Sequence, residues 1–399
     1  MITVLTGSLA ALIATWVGIL LWNLRPLVAY WREPAFRLPV LVFESDDWGP
    51  APDEHAQLLS EIGALLGEFR DDRGHHPVMT LGVVLAVPES SEAFAANPRE
   101  LTLPDQRFRP IVDAMQLGVR NGVFRLHLHG RSHYWLEALT DASRSDPTIA
   151  HWLAGPESWR TEALPPGLQT RWAPEIRGVR VTIPAEAVRK AAEAEARLFA
   201  ECFGAPATVA VPTTFVWNPD VVRGWAVAGI RAIVTPGRYY RHRGQFAHPS
   251  SAPLITNGMR SQGTCYVVRD RYFEPFKGHS AEQGLRALAE NTALGRPTLL
   301  EIHRVNFLEG TLRERTLSAI RGLLSTALVE YPNLRFLPTI DVVNALEATS
   351  SEILEQALPA RVATWCRRVK TLRRFWTLAR ISGLAALIAV TEKLAQRSS

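Results

Sequence analysis

The sequence has little cysteine. Its three residues, Cys202, Cys265 and Cys366, are odd in number and far apart, which excludes a disulfide scaffold and a cysteine-built zinc module. Any metal must therefore sit on histidine and carboxylate side chains. Repeats and low-complexity tracts are also missing, so fibrous and solenoid classes drop out. Nor does one sign of charge dominate once the charges are placed along the chain. Lys and Arg number 44 against 39 Asp and Glu, and residues 361–399 hold nine of the bases with Glu392 as their single acid. The rest of the chain carries 35 basic and 38 acidic residues, with no diffuse surface that would seek phosphates. Nucleic acid is not an expected partner.

What is present is an ordinary globular composition, 47% hydrophobic and 21% charged over 399 residues, enough for one large domain or two ordinary ones. The ends differ from that body. Residues 2–22 form a 21-residue run without a charge. At about 1.5 Å of rise per residue such a helix would cross a hydrocarbon core of roughly 30 Å. The basic flank and small-residue cleavage site of a signal peptide are missing, so a transmembrane anchor is expected over residues 1–24. Arg25, Arg32 and Arg37 follow the span and no base precedes it, so a single pass is expected with the following domain facing the cytoplasm, the reverse orientation being periplasmic or extracellular. A juxtamembrane linker is placed at 25–38. At the other end Trp365, Val369, Leu372 and Trp376 recur at helical spacing with Arg367, Lys370 and Arg374 on another face. Residues 349–399 thus read as a basic amphipathic tail on a bilayer surface, or as a helix packed on its own domain.

Between the ends, residues 39–348 alternate short apolar runs with helical patterns, the signature of βα units around a mostly parallel sheet. Strands are expected at 39–44, 78–87, 123–128, 208–211, 232–235, 264–268, 299–303 and 335–337, which suits a distorted (β/α) barrel of about seven strands. Residues 134–183 and 238–257 read as long loops over one end.

In such barrels the reacting groups stand at the carboxyl ends of strands. Three expected strand ends are unusually polar. The first closes on Glu44, Asp46 and Asp47, and adjacent carboxylates repel unless a cation or hydrogen-bond donors share the site. The second carries His127, His129 and His133; the four-residue spacing of the last two across Gly130 suits ligation of a divalent metal. The third ends in His303, with Glu301 on the same face.

Together these motifs resemble the polysaccharide deacetylases, carbohydrate esterase family 4, over residues 39–345. The resemblance implies a metal-dependent hydrolase that removes an N-acetyl or O-acetyl group from a sugar. It assigns Asp46 as general base, Asp47, His129 and His133 as ligands of a divalent metal such as Zn²⁺, Co²⁺ or Mn²⁺, and His303 as general acid. The arginine that orients the base is not found in the Pro-rich stretch after Val209, so either another residue such as Arg131 or Arg271 replaces it or the chemistry has drifted. Aromatic residues of the loops, Trp48, Tyr134, Trp135 and Trp217 foremost, are expected to stack on sugar rings. Held at a bilayer, the enzyme would meet a lipid-linked glycan, with membrane lipids as partners. Two alternatives stand beside this reading: a non-catalytic sugar-binding protein of the same fold, and an amidohydrolase or phosphoesterase built on His127 and His129.

Overall fold

The computed structural model describes residues 2–348 and 351–398. Ten strands form one sheet among them. Seven carry its parallel body: β1 (Val40–Trp48), β2 (Met79–Val84), β3 (Phe124–Gly130), β4 (Val209–Ala210), β5 (Ala232–Thr235), β7 (Thr264–Val268) and β9 (Thr298–His303). The short β6 (Arg260–Ser261), β8 (Arg271–Tyr272) and β10 (Arg335–Phe336) trim its edges and one end. The order is β6-β7-β5-β4-β3-β2-β1-β9-β8, with β10 paired to the start of β1. Every strand expected from the sequence has its counterpart. Strand β1 is buried along its whole length, as a strand covered on both faces must be.

The two sheet edges belong to one stretch of chain. Strand β7 pairs with β5, and three residues later β8 pairs with β9 on the far side, so the segment that crosses from one edge to the other closes the curl. Arg269 lies in that crossing.

Helices cover the sheet, and their ends follow local chemistry. Asn218 accepts hydrogen bonds from the backbone of Asp220 and Val221 to start the helix Pro219–Val227, and Ser280 with Gln283 forms a capping box for Ala281–Ala293. Residues 134–183, expected as a loop, fold into two helices, Leu136–Ser145 and Pro147–Ala154, with a short hairpin. Tyr134, Leu139, Ile149 and Leu153 give this insertion its own apolar cluster with Phe94.

Both termini are helical. No single helix among the described residues is long and apolar enough to cross a membrane; the pair Leu9–Trp22 and Leu24–Arg32 passes only together and is bent by 67°. The break follows from Pro26, which has no N–H to offer the carbonyl of Trp22. The basic tail is not a lone surface helix. Helices Leu358–Val369, Arg373–Ile381 and Leu384–Arg397 bury Cys366, Val369, Phe375 and Ile388 against Leu27 and Tyr30 of the other terminus. Trp365 Nε1 donates to the carbonyl of Leu27 at 3.0 Å and Trp16 Nε1 to that of Ser382 at 2.9 Å. The two ends form one helical module, while the domain boundary expected at 349 lies outside the described residues.

Candidate active site

Parallel pairing of β1 with β9 places Asp46 opposite His303 and Glu44 opposite Glu301. In a regular strand Asp46 and Asp47 would point to opposite faces. A bulge between Ser45 and Trp48 breaks that alternation, and Asp47 sits at φ 75°, a conformation that a non-glycine residue holds only when its surroundings enforce it. Both carboxylates then line one cavity of about 240 Å³ at the carboxyl ends of the strands, together with His129, His133, Arg269, Glu301 and His303. Room for Asp46 comes from Gly82 on the neighbouring β2, where a Cβ would lie 2.4 Å from Asp46 Oδ1.

Strand β3 delivers the histidines. Gly130, at φ 108°, turns the chain so that His133 returns beside His129, their rings 5.2 Å apart and nearly perpendicular. A buried ionic knot fixes the turn. Glu195, on the helix Ala185–Phe203, accepts from the backbone N–H of Arg131 at 2.9 Å and pairs with Arg171 at 3.1 Å; Arg171 in turn donates to Ser132 Oγ and the Tyr134 carbonyl, both at 2.9 Å.

Asp47 Oδ1 stands 2.9 Å from His133 Nε2 and 3.5 Å from His129 Nε2. The other ring nitrogens are engaged elsewhere: His129 Nδ1 donates to the carbonyl of Val211 at 2.9 Å, and His133 Nδ1 lies 3.0 Å from Thr161 Oγ1. A carbonyl accepts only, so the Val211 contact places the proton of neutral His129 on Nδ1 and leaves Nε2 as a lone pair facing Asp47. The ligand atoms of Asp47, His129 and His133 all lie within 4.8 Å of one another. One carboxylate and two imidazoles so oriented fit a divalent ion of the zinc kind, with further coordination positions left for water and substrate. Burial opposes charge on Asp47, yet the adjoining imidazoles draw its carboxyl well below the usual range.

Asp46, Glu301 and His303 form a second cluster of the same compactness, but its cation is already supplied. Arg269, fully buried, grips Asp46 through both carboxylate oxygens, at 3.2 and 2.5 Å, and reaches Glu301 at 3.1 Å and Glu44 at 3.4 Å. Burial pushes the Asp46 carboxyl up, the guanidinium more than reverses this, and the pKa falls to about 2. Glu44, more deeply enclosed, is raised by burial to about 7. His303 Nδ1 is hydrogen-bonded to Glu274, whose other oxygen accepts from Asn306. Burial works against the imidazolium, but the Glu274 bond and the neighbouring carboxylates lift His303 to about 10.

Several expectations are corrected here. Neither Arg131 nor Arg271 reaches Asp46: Arg131 pairs with Glu100 and Arg271 with Glu290 and Asn291, and the arginine that contacts Asp46 is Arg269. Trp48, Tyr134 and Trp217 have no exposed face for a sugar. Trp48 donates to Ser45 Oγ, the Tyr134 hydroxyl to Glu100, and Trp217 packs on Tyr239 and Tyr266. Trp135 packs on Trp172 and does not line the cavity. The aromatic rim consists of Tyr272, Phe246 and Phe215. His127 lies one layer deeper on β3, its Nδ1 3.9 Å from Glu44, outside the cavity lining. Its burial lowers its pKa to about 3, and it does not join His129 as an amidohydrolase pair would.

Fold and site together define a partly open parallel barrel with an Asp-His-His trio and an arginine-clamped aspartate at its mouth. No family model matches the chain, and no curated protein does. Among solved structures it is similar to a 4-alpha-glucanotransferase from Thermococcus litoralis (TM-score 0.43, 13% identity), over 79% of this chain and only 41% of that longer one. It is similar also to Puue allantoinase (TM-score 0.42, 12% identity, 79% of this chain and 91% of that one). A third neighbour is a protein from Mycobacterium smegmatis described as a polysaccharide deacetylase (TM-score 0.41, 11% identity, 82% and 97%). Family 4 carbohydrate esterases recur among the further neighbours at TM-scores of 0.33 to 0.35, and a family 4 pseudoenzyme is among them.

Proposed function

We propose that the chain is a metal-dependent deacetylase that hydrolyses an acetyl amide or ester of a sugar. The observation that carries this reading is the juxtaposition, in one cavity, of an Asp-His-His trio with tied-off Nδ1 atoms, an anionic Asp46 and a protonated His303. Asp47, His129 and His133 hold the ion, Zn²⁺ or alternatively Co²⁺ or Mn²⁺. When bound it would polarise the acyl carbonyl and make water a better nucleophile near neutral pH.

The chain's own groups divide the remaining work. Asp46, kept ionised by Arg269, accepts the proton of the attacking water as its oxygen bonds to the acyl carbon. His303 delivers a proton to the departing nitrogen or oxygen when the bond to that atom breaks, which spares an amine from leaving as an anion. Glu274 keeps that proton on His303 until it is needed. Tyr272 and Phe246, half-exposed at the rim, offer faces for a sugar ring.

The terminal module holds the enzyme at a membrane, with the bent pair Leu9–Trp22 and Leu24–Arg32 as its anchor and the barrel on the cytoplasmic side. The substrate is then an acetylated sugar or glycan carried on a lipid. The non-catalytic alternative drew its support from the missing arginine, and Arg269 removes that support.

Elemental analysis and acetate release decide the reading. Wild-type chain loaded with Zn²⁺ or Co²⁺ is expected to bind one equivalent and to free acetate from acetyl-amino-sugar donors. Asp47→Ala is expected to lose both metal and turnover. Acetate release that survives chelation, or full metal content in Asp47→Ala, overturns it.

A further inference from the structure

A larger cavity, about 720 Å³, opens on the barrel's flank, between the helix Leu24–Arg32 and residues 256–260. Leu24, Val28, Ala29 and Met259 give it apolar walls, and Arg25, Arg32 and Arg260 bring guanidinium groups to it. No acidic residue among the described ones lines it. Residues 25, 28, 29 and 32 recur at the three- and four-residue spacing of a single helical face, turned away from the face that buries Leu27 and Tyr30. Arg260 is paired with Glu347, but Arg25 and Arg32 have no ion pair or hydrogen bond among the described residues. Like charges left unpaired two turns apart, with only apolar side chains between them, repel one another and gain nothing from the fold. An anion set between them would relieve the repulsion.

The surroundings say what kind of anion. Trp22 is 88% exposed and Leu24 50% at the same corner, and Ile381, 80% exposed, stands on the helix whose end is tied to Trp16. An isolated phosphate would leave this apolar surface in water. A diester with hydrocarbon attached satisfies both halves.

We propose that this cavity binds the headgroup of an anionic glycerophospholipid. Its phosphodiester lies among Arg25, Arg32 and Arg260, and its acyl chains run over Leu24 and Val28 towards Trp22. The proposal rests on the reading that the terminal helices meet a bilayer, and it adds a selective lipid site that anchors the helix Leu24–Arg32 against the barrel's flank.

The full chain, in neutral detergent, is titrated with phosphatidylglycerol or phosphatidylcholine and bound lipid is counted by native mass spectrometry. Retention of phosphatidylglycerol over phosphatidylcholine is expected, weakened about fivefold by Arg25→Gln and again by Arg32→Gln. Met259→Trp, which fills the cavity without touching a charge, is expected to weaken it too. Neutralising Arg373 and Arg374, bases that do not line the cavity, is expected to leave it unchanged. Equal retention of the two lipids, or equal losses from Arg25→Gln and from the Arg373 and Arg374 substitutions, overturns the site in favour of diffuse charge. Carbonate-resistant sedimentation of the chain with cell membranes separates the two levels: its absence sinks the membrane reading, while its presence without lipid preference sinks only the cavity.

Discussion

Two arginines, each 1% exposed, hold opposite regions of the molecule together in opposite ways. Arg269 stands at the barrel mouth among the carboxylates of Glu44, Asp46 and Glu301. Arg368 stands where the terminal module meets the barrel and donates to the backbone carbonyls of Tyr30, Glu33, Pro34, Leu294 and Gly295. Burial disfavours the charge on both. At the mouth the carboxyl groups of Asp46, Glu301 and Glu44 more than compensate, and Arg269 holds its proton more tightly than a free arginine. At the junction burial prevails over Glu33, and Arg368 falls to about 10. Five backbone carbonyls, with the Glu33 carboxylate 3.5 Å away, bind a guanidinium firmly enough to join two pieces of chain. Only the carboxylate cluster also fixes the charge of its partners, and that is what a reaction needs.

Replacing each arginine by methionine should break this comparison most visibly. Arg269→Met leaves Asp46, Glu44 and Glu301 crowded without a counter-ion, so a loss of about 3 to 5 kcal/mol in stability is expected, with deacetylation abolished in whatever fraction remains folded. Arg368→Met strands buried carbonyls and is expected to cost about 3 kcal/mol or more, yet kcat per folded molecule should stay at the wild-type value. Denaturant melts combined with acetate release read both. If the two variants lose kcat alike, the division between a chemical and a structural arginine is wrong.

A smaller effect is expected at the outer partner of the metal trio. Thr161 touches His133 Nδ1 but lies outside the cavity lining. Thr161→Val should lower metal affinity by about 10- to 100-fold while leaving kcat at saturating metal nearly unchanged. Competition with a chelating dye measures it. An unchanged affinity means that His133 is oriented by the Gly130 turn and the Glu195 knot alone.

The sequence was informative where local pattern carries the physics. Each parallel strand shows as an apolar run because burial on both faces demands it, and the polar residues that end β1, β3 and β9 stand out against those runs. Even the shared face of Glu301 and His303 follows from the period of two. What stayed hidden depends on contacts between distant segments. Arg269 sits in a short crossing between two sheet edges, and nothing local distinguishes it from Arg271 two residues on. Glu274 and Glu195 reach the site from outside its motifs. The tryptophans misled because aromatic loop residues serve a core as readily as a sugar: Trp48 and Trp217 are fully buried, while the rim falls to Tyr272 and Phe246. The terminal helices carry amphipathic patterns that suit a bilayer and suit each other, and periodicity alone does not say which surface they meet.

The last test concerns His303 and is expected to be the smallest at neutral pH. Its pKa stands near 10 although burial favours the neutral ring, because Glu274 is hydrogen-bonded to Nδ1 and other carboxylates lie close. Its folded value is thus above the ordinary imidazole value of about 6.5. The contribution to stability is complete below that ordinary value and is lost as pH rises through 10. The catalytic consequence has the same sign, since a proton donor is present up to the alkaline limb and absent beyond it. Glu274→Gln keeps the shape and removes the anion, so the alkaline limb of kcat should move towards neutral pH, and the stability advantage between neutrality and pH 10 should shrink with it. At pH 6 the variant should work nearly as well as the wild type. A pH–rate profile and melts across the same range check both. An alkaline limb that does not move would assign the proton on His303 to Glu301 and Asp47 instead, and would make Glu274 a brace rather than an electrostatic partner.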